Sequence, residues 1–304
     1  MHSQSMAGVI PVLATPFHPD GSLDRRSLNR LVEFQVDSGA AGVATFGMAS
    51  ETFTLTATER RQILSDVVAS AGELPIVAGV GATGLSQARE QLRDVADQGA
   101  HVAMVLPPFM VTPSSTQLLD FYGALATDAQ AAGIEIMVQD APGATGVAMS
   151  AELIADLAQL PGITSVKVEA SPTLPKLLDV QRAMPAEPIT VMGGQNAQFF
   201  LDELACGAAG TMPACEFTDL LVEIYRAWTQ GERAQARSHF ALILPLIVWG
   251  LQSGPAWAIH KEVLLERGII SAATVRAPAR TLHPQMRTLL HEILAPLPLT
   301  PVRN

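Results

Sequence analysis

Several things are scarce in this chain. Its 304 residues include only three lysines and two tyrosines, and acidic residues outnumber Lys and Arg by 29 to 19. With a formal charge of −10 and no basic stripe, it lacks the means to neutralise phosphates, so no nucleic-acid partner is expected. A small anionic substrate stays open, since a pocket can be locally positive on an acidic protein. Two cysteines, Cys206 and Cys215, are too few for a disulfide framework or a zinc site and read as core packing. The seven histidines show no metal-ligand spacing, so no metal is expected and they read as structural or exposed. The opening "MHSQSMAGVIPVLATP" has no basic segment followed by a long apolar one, which argues against a secretory signal. No apolar run reaches the roughly 20 residues of a membrane helix. The longest, 240–251, is interrupted by Pro245 and reads as a buried helix. The reading is a cytoplasmic protein with no membrane partner.

What is present is apolar and periodic. Hydrophobic residues make up 48% of the chain and charged ones 16%, enough for a large core and too apolar for disorder. Eight short β-rich runs recur: 8–16, 42–47, 75–81, 101–107, 134–140, 163–169, 189–195 and 209–215. They are nearly continuous in apolar character, as parallel strands buried on both faces are. Between them lie segments of helical spacing. One is 56–72, with Ile63, Leu64, Val67 and Val68 on one face; another is 85–100, with Leu85, Ala88, Leu92 and Val95. Eight strand–helix units within about 230 residues is the count of an α/β (β/α)8 TIM barrel. "GVGATG" (79–84) only superficially resembles a dinucleotide loop, since it follows the third run and lacks an acidic partner. The stretch 232–304 reads as helices alone, which gives a catalytic barrel at 1–231 and a C-terminal helical appendage at 232–304.

In such a barrel, catalytic side chains gather at the C-terminal ends of the strands. The polar residues there are Thr15, Ser50, Glu51, Gln139, Asp140, Lys167, Glu169, Gln195, Asn196 and Thr211. Lys167 is the only basic group among them. Lys167 and Glu169, two apart in "ITSVKVEAS", point the same way on a strand. An amine dried by Val166, Val168 and the barrel layers has its pKa lowered, and a neutral amine attacks a carbonyl to form a Schiff base. The alternative is a structural ion pair. Lys176 and Lys261, in amphipathic helical contexts, read as solvated. The stretch "GMASE" (47–51) is expected to present backbone N–H groups, Ala49 included, and the Ser50 hydroxyl to a carboxylate. A capping reading competes for the adjacent residues: Thr56 with Glu59 forms a capping-box pattern, and Glu51 helps hold that turn. Asp20 and Asp24 belong to turn and cap chemistry.

On these residues the chain resembles the Schiff-base lyases grouped with dihydrodipicolinate synthase and N-acetylneuraminate lyase, over essentially its whole length. The resemblance rests on "GVIPVLATPFHPDGSLD", "GMASETFTLTATER", "LPPFMVTPS", "QDAPGATG" and the lysine of the sixth strand. It implies a barrel with a C-terminal helical domain, a homotetramer, and a Schiff base between Lys167 and C2 of a 2-oxo acid, with no other cofactor. The chain departs from the common family pattern at several places. Gln139 stands where many members have a tyrosine, Phe109 stands for another, and Ala144 replaces a frequent arginine. The carboxylate loop "GMASE" lacks the usual threonines. These departures are similar to the 2-keto-3-deoxy-L-arabonate dehydratase branch, through "IMVQDAP", the Ser50–Glu51 pair, Lys167 with Glu169, and a late "LHP…R".

That likeness implies Lys167 and Glu169 as catalytic residues and Ala49, Ser50, Gln139, Asp140, Gly194 and Thr211 as the substrate-binding set. The expected substrate is a 2-keto-3-deoxy sugar acid that loses water, with Glu169 as acid/base. A retro-aldolase releasing pyruvate and a non-catalytic binding barrel are the alternatives. Retro-aldol cleavage needs a base for the C4 hydroxyl, the role of the missing tyrosine.

Overall fold

A computed structural model describes residues 6–299, and within them the eight β-rich runs become eight strands. These are β1 (Gly8–Val9), β2 (Val43–Thr45), β3 (Ile76–Val80) and β4 (Val102–Val105). The rest are β5 (Glu135–Asp140), β6 (Ile163–Val168), β7 (Thr190–Gly193) and β8 (Gly210–Thr211). All pairs are parallel, in the order β1-β8-β7-β6-β5-β4-β3-β2. A parallel bridge between Val12 and Ala44 closes the ring, supported by the Leu13 N–H donating to Ala44 O at 2.8 Å. The fold is a (β/α)8 barrel. β1 and β8 are shorter than their apolar runs because Pro11 and Pro213 have no N–H to give a ladder.

Helices α1 (Arg25–Asp37), α2 (Ala57–Ser70), α3 (Leu85–Asp97) and α4 (Ser115–Ala132) surround the first half of the ring. They are followed by α5 (Pro142–Thr145), α6 (Ala151–Leu157), α7 (Thr173–Ala183), α8 (Phe200–Ala205) and α9 (Thr218–Thr229). Helices α10 (Arg233–Trp249), α11 (Ala256–Glu266) and α12 (Pro284–Leu294) come last. The starts are chemically marked. Asp24 accepts from the Ser27 N–H, Thr56 and Glu59 form a complete capping box, and Ser114 forms another with Gln117. Asp20 accepts from the Ser22 N–H at 2.9 Å, in the expected turn.

Three apolar layers hold these elements. Inside the ring, Ile10, Val12, Val77, Met104, Met137, Met192 and Met212 fill the centre; methionine adapts to such an irregular space. Outside it, Val138, Val166, Val168 and their neighbours meet the helices. A third cluster joins Phe240, Ile247, Ile259 and Leu290 of the last helices to Val9, Phe200 and Leu221. The late helices therefore share a core with β1, α8 and α9, and this sets them against the ring. Among the described residues, no helix is long and apolar enough to cross a membrane.

Candidate active site

Strand alternation decides where Lys167 points. Val166 and Val168 belong to the layer under the helices, so Lys167 lies on the inner face. The two valines lie behind the amine, not beside it. Its strand neighbours in register are Gln139 and Met192, and the residue is 3% exposed. Glu169, just past the end of β6, turns back over it: Lys167 Nζ lies 3.1 Å from Glu169 Oε1. The carboxylate has two further donors. Gln139 Nε2 donates to Oε2 at 2.7 Å and the Gln195 N–H to Oε1 at 3.3 Å.

The loop after β7 closes the group from the other side. Gln195, Asn196 and Ala197 all have positive φ, 45°, 55° and 64°, a conformation that costs non-glycine residues energy and must be held by its surroundings. Gln195 Nε2 donates to Glu169 O at 2.6 Å. Asn196 Nδ2 donates to Ile247 O at 3.1 Å, and its Oδ1 accepts from the Ala214 N–H at 3.0 Å. Just before this loop, a Cβ on Gly194 would fall 2.4 Å from Glu169 Cγ, and one on Gly193 would fall 1.9 Å from Glu203 Oε2. Two carboxyl groups thus press on consecutive glycines. Burial, helped by Glu169, pushes the Glu203 carboxyl up to about 8.

A cavity of about 430 Å³ opens above Lys167 and Glu169, walled by Val12, Met48, Ala49, Met212 and the Gly250–Gly254 loop. Of the residues expected to bind substrate, Ala49 lies on this wall. Gln139 sits behind Glu169, and Gly194 abuts it. Ser50 does not reach the space: it is fully buried, and its Oγ donates to Leu13 O at 2.6 Å, which pins the turn from below. Asp140 is a correction. One residue beyond inward-facing Gln139, it faces the helix layer and pairs with Lys176 of α7 at 3.4 Å. Burial raises its pKa and Lys176 opposes the rise. Thr211 also turns outward, in register with Val9 and Gly193, while Met212 takes the inner position.

Two lysines read as solvated are not. Lys176 is mostly covered, and Lys261 is fully buried against Glu51. His260 was read with the scattered histidines, yet it lines the cavity with Trp257, and its Nδ1 lies 2.7 Å from Glu216 Oε1. The glycine-bracketed turn "GLQSGP" before α11 is visible in the sequence. Nothing local says which end of the barrel it covers.

The arrangement can do imine chemistry: a primary amine on the inner face, a carboxyl group beside it, and a polar–apolar cavity above both. The family model for the dihydrodipicolinate synthetase family matches residues 5–297. The chain belongs to that family. It is therefore an enzyme of a lyase family, and its similarities are broad. It is 32% identical over 292 residues to the L-2-keto-3-deoxyarabonate dehydratase of Azospirillum brasilense, covering 93% of this chain and 92% of that one. It is equally 32% identical over 272 residues to the 4-hydroxy-tetrahydrodipicolinate synthase of Methylococcus capsulatus, covering 86% and 90%. Among solved structures, the dihydrodipicolinate synthase of Rhodopseudomonas palustris superposes with a TM-score of 0.88 at 27% identity, over 96% of this chain and 97% of that one. The chloride-inhibited, pyruvate-complexed enzyme of Acinetobacter baumannii gives 0.86 at 26%, over 96% and 99%.

Proposed function

We propose that this family member forms a Schiff base between Lys167 and the C2 carbonyl of a 2-oxo acid and dehydrates a 2-keto-3-deoxy sugar acid. The observation that carries the reading is the Lys167–Glu169 contact of 3.1 Å with Gln139, not a phenol, on the carboxylate. Neither tyrosine serves the cavity: Tyr122 OH donates to Val105 O and Tyr225 OH to Ala209 O. The similarity to an L-2-keto-3-deoxyarabonate dehydratase agrees with this.

In the reaction, the amine adds to C2 and water is lost to give an iminium, which acidifies the C3 protons. Glu169 takes one of them and an enamine forms. The enamine then expels the C4 hydroxyl, and the unsaturated iminium is hydrolysed. In this reading the substrate carboxylate meets the main chain at Met48 and Ala49 on the cavity wall, with Ser50 holding that turn in place.

Borohydride reduction in the presence of pyruvate, read by intact mass, tests the amine. A panel of 2-keto-3-deoxypentonates tests the outcome. A dehydrated product is expected; pyruvate plus an aldehyde marks retro-aldol cleavage instead, and no adduct on the wild type marks a barrel that only binds. The same reading takes the assembly to be a homotetramer; Met110 and Val111, 88% and 81% exposed in the loop after β4, are an apolar surface that a second copy would cover. Sedimentation analysis gives the assembly directly.

A further inference from the structure

Elimination of water asks for two proton transfers, one from C3 and one to the departing C4 oxygen. Because the enamine separates the two transfers, Glu169 can serve both only in turn, and a second acid on the wall leaves it to C3 alone. The cavity wall contains three titratable groups among the described residues, namely Lys167, Glu169 and His260. Lys167 is committed to the imine, and Glu169 to C3. His260 is unassigned.

Its setting is a built one. The ring enters from α11 and is only 5% exposed. Glu216, fully buried in the loop after β8, sits 2.7 Å from Nδ1. A carboxylate there fixes the ring's orientation and makes Nδ1 the protonated nitrogen. Nε2 has no hydrogen-bond partner among the described residues and is the nitrogen left for a ligand. Space for the ring is kept by Gly250, where a Cβ would lie 2.7 Å from His260 Cε1. The neighbouring lysine in sequence, Lys261, turns away to Glu51. Glu216 is therefore the charged group against the imidazole, with Lys167 and Glu169 across the cavity.

We propose that His260, oriented by Glu216, exchanges the proton of the substrate's C4 oxygen. The proposal rests on the dehydratase reading of the same cavity. When Glu169 removes the C3 proton, the C–H electron pair becomes the C2=C3 bond of the enamine. The nitrogen lone pair then re-forms the C2=N bond, the C2=C3 pair becomes C3=C4, and the C4–O bond breaks. The oxygen leaves with its bonding pair and takes the proton from Nε2 of the imidazolium, departing as water. Glu169 is left protonated and His260 neutral; a proton passed back through solvent resets both, and the net change is loss of one water.

The test uses His260→Ala and Glu216→Gln in the full chain. His260→Ala is expected to keep the borohydride adduct with pyruvate while kcat on a 2-keto-3-deoxypentonate falls about 100-fold or more. Added imidazole should restore part of that rate, and the histidine limb of the kcat–pH profile should vanish. Glu216→Gln should lower kcat less and displace the limb. A variant within twofold of wild type overturns the proposal. So does loss of adduct and turnover together without imidazole rescue, which marks a structural histidine. If the wild type releases pyruvate and an aldehyde, the dehydratase reading fails alone: the same variant pair then judges His260 as the base that accepts the C4 hydroxyl proton. A wild type inert toward every 2-keto-3-deoxy acid overturns both.

Discussion

Lys261 and Glu51 form an ion pair with both side chains fully withdrawn from solvent, and it joins α11 to the turn that follows β2. Lys261 Nζ also donates to Thr274 O at 2.7 Å and lies 4.2 Å from the centre of the Phe17 ring. Glu51 is held at a positive φ of 53° and accepts the Arg276 N–H at 3.0 Å. Trp257 adds a bond to Met48 O at 2.7 Å. The Met48–Ala49 side of the cavity wall is thus clamped from the C-terminal helices.

Removing one partner of this pair should cost far more than removing both. Lys261→Met leaves a buried carboxylate without its counter-charge, worth about 3–5 kcal/mol. Burial already pushes the Lys261 ammonium down to about 8, against the pull of Glu51. Urea midpoints of Lys261→Met, Glu51→Gln and the double variant check this. The double variant should regain a large part of the loss, and a single variant as stable as wild type would exclude the clamp.

Lys167→Ala should abolish the borohydride adduct altogether, whereas Glu169→Gln should still trap pyruvate and lose turnover by about 100-fold or more. Intact mass and a product assay on the same samples separate the two steps. An adduct surviving in Lys167→Ala would move the imine to another amine.

The adjacent glycines should fail differently. Gly194→Ala pushes on Glu169, so activity should fall at least about tenfold from misplacement of a reacting group. Gly193→Ala pushes on Glu203 and should cost about 1–3 kcal/mol by overpacking. Calorimetry with kinetics on both variants reads the split, and matching losses in the two would count against it.

Glu203 also makes stability depend on pH. Its folded pKa, about 8 against the usual 4.5, means that between these values the folded chain keeps a proton that the unfolded chain has released. Stability from this group is full below about 4.5 and is lost as pH rises towards 8. Glu203→Gln should therefore be the more stable protein near pH 8, by on the order of 3 kcal/mol, and close to wild type at pH 4.5. Thermal melts at the two pH values decide it; a gain of equal size at both would assign the effect to packing.

Asp140, facing the helix layer, should matter to folding and not to substrate. Asp140→Asn removes the charge that Lys176 meets at 3.4 Å, and KM should stay within twofold while the melting temperature drops. A large KM change with unchanged melting would return Asp140 to the cavity.

Some of this was legible in the residues. The eight apolar runs and their helical partners announced the barrel because each strand is buried on both faces and each helix on one, patterns that follow from local geometry alone. The Lys167–Glu169 contact was legible for the same reason, since residues two apart on a strand share a face. The fates of Asp140 and Thr211 were harder, because a strand-end position does not say which face the chain shows there. Asp140 is one step from Gln139 and points the opposite way.

By itself, then, the amino-acid order determined the period of the fold, the scarcity of phenols and the one lysine at the strand ends, all properties of neighbours along the chain. The tertiary structure alone decided that His260, on the cavity wall, meets Glu216, 44 residues away in the chain, and that Lys261 is buried on Glu51. Those contacts depend on how α11 settles against the ring, through an apolar core shared between distant segments. No local spacing encodes that placement.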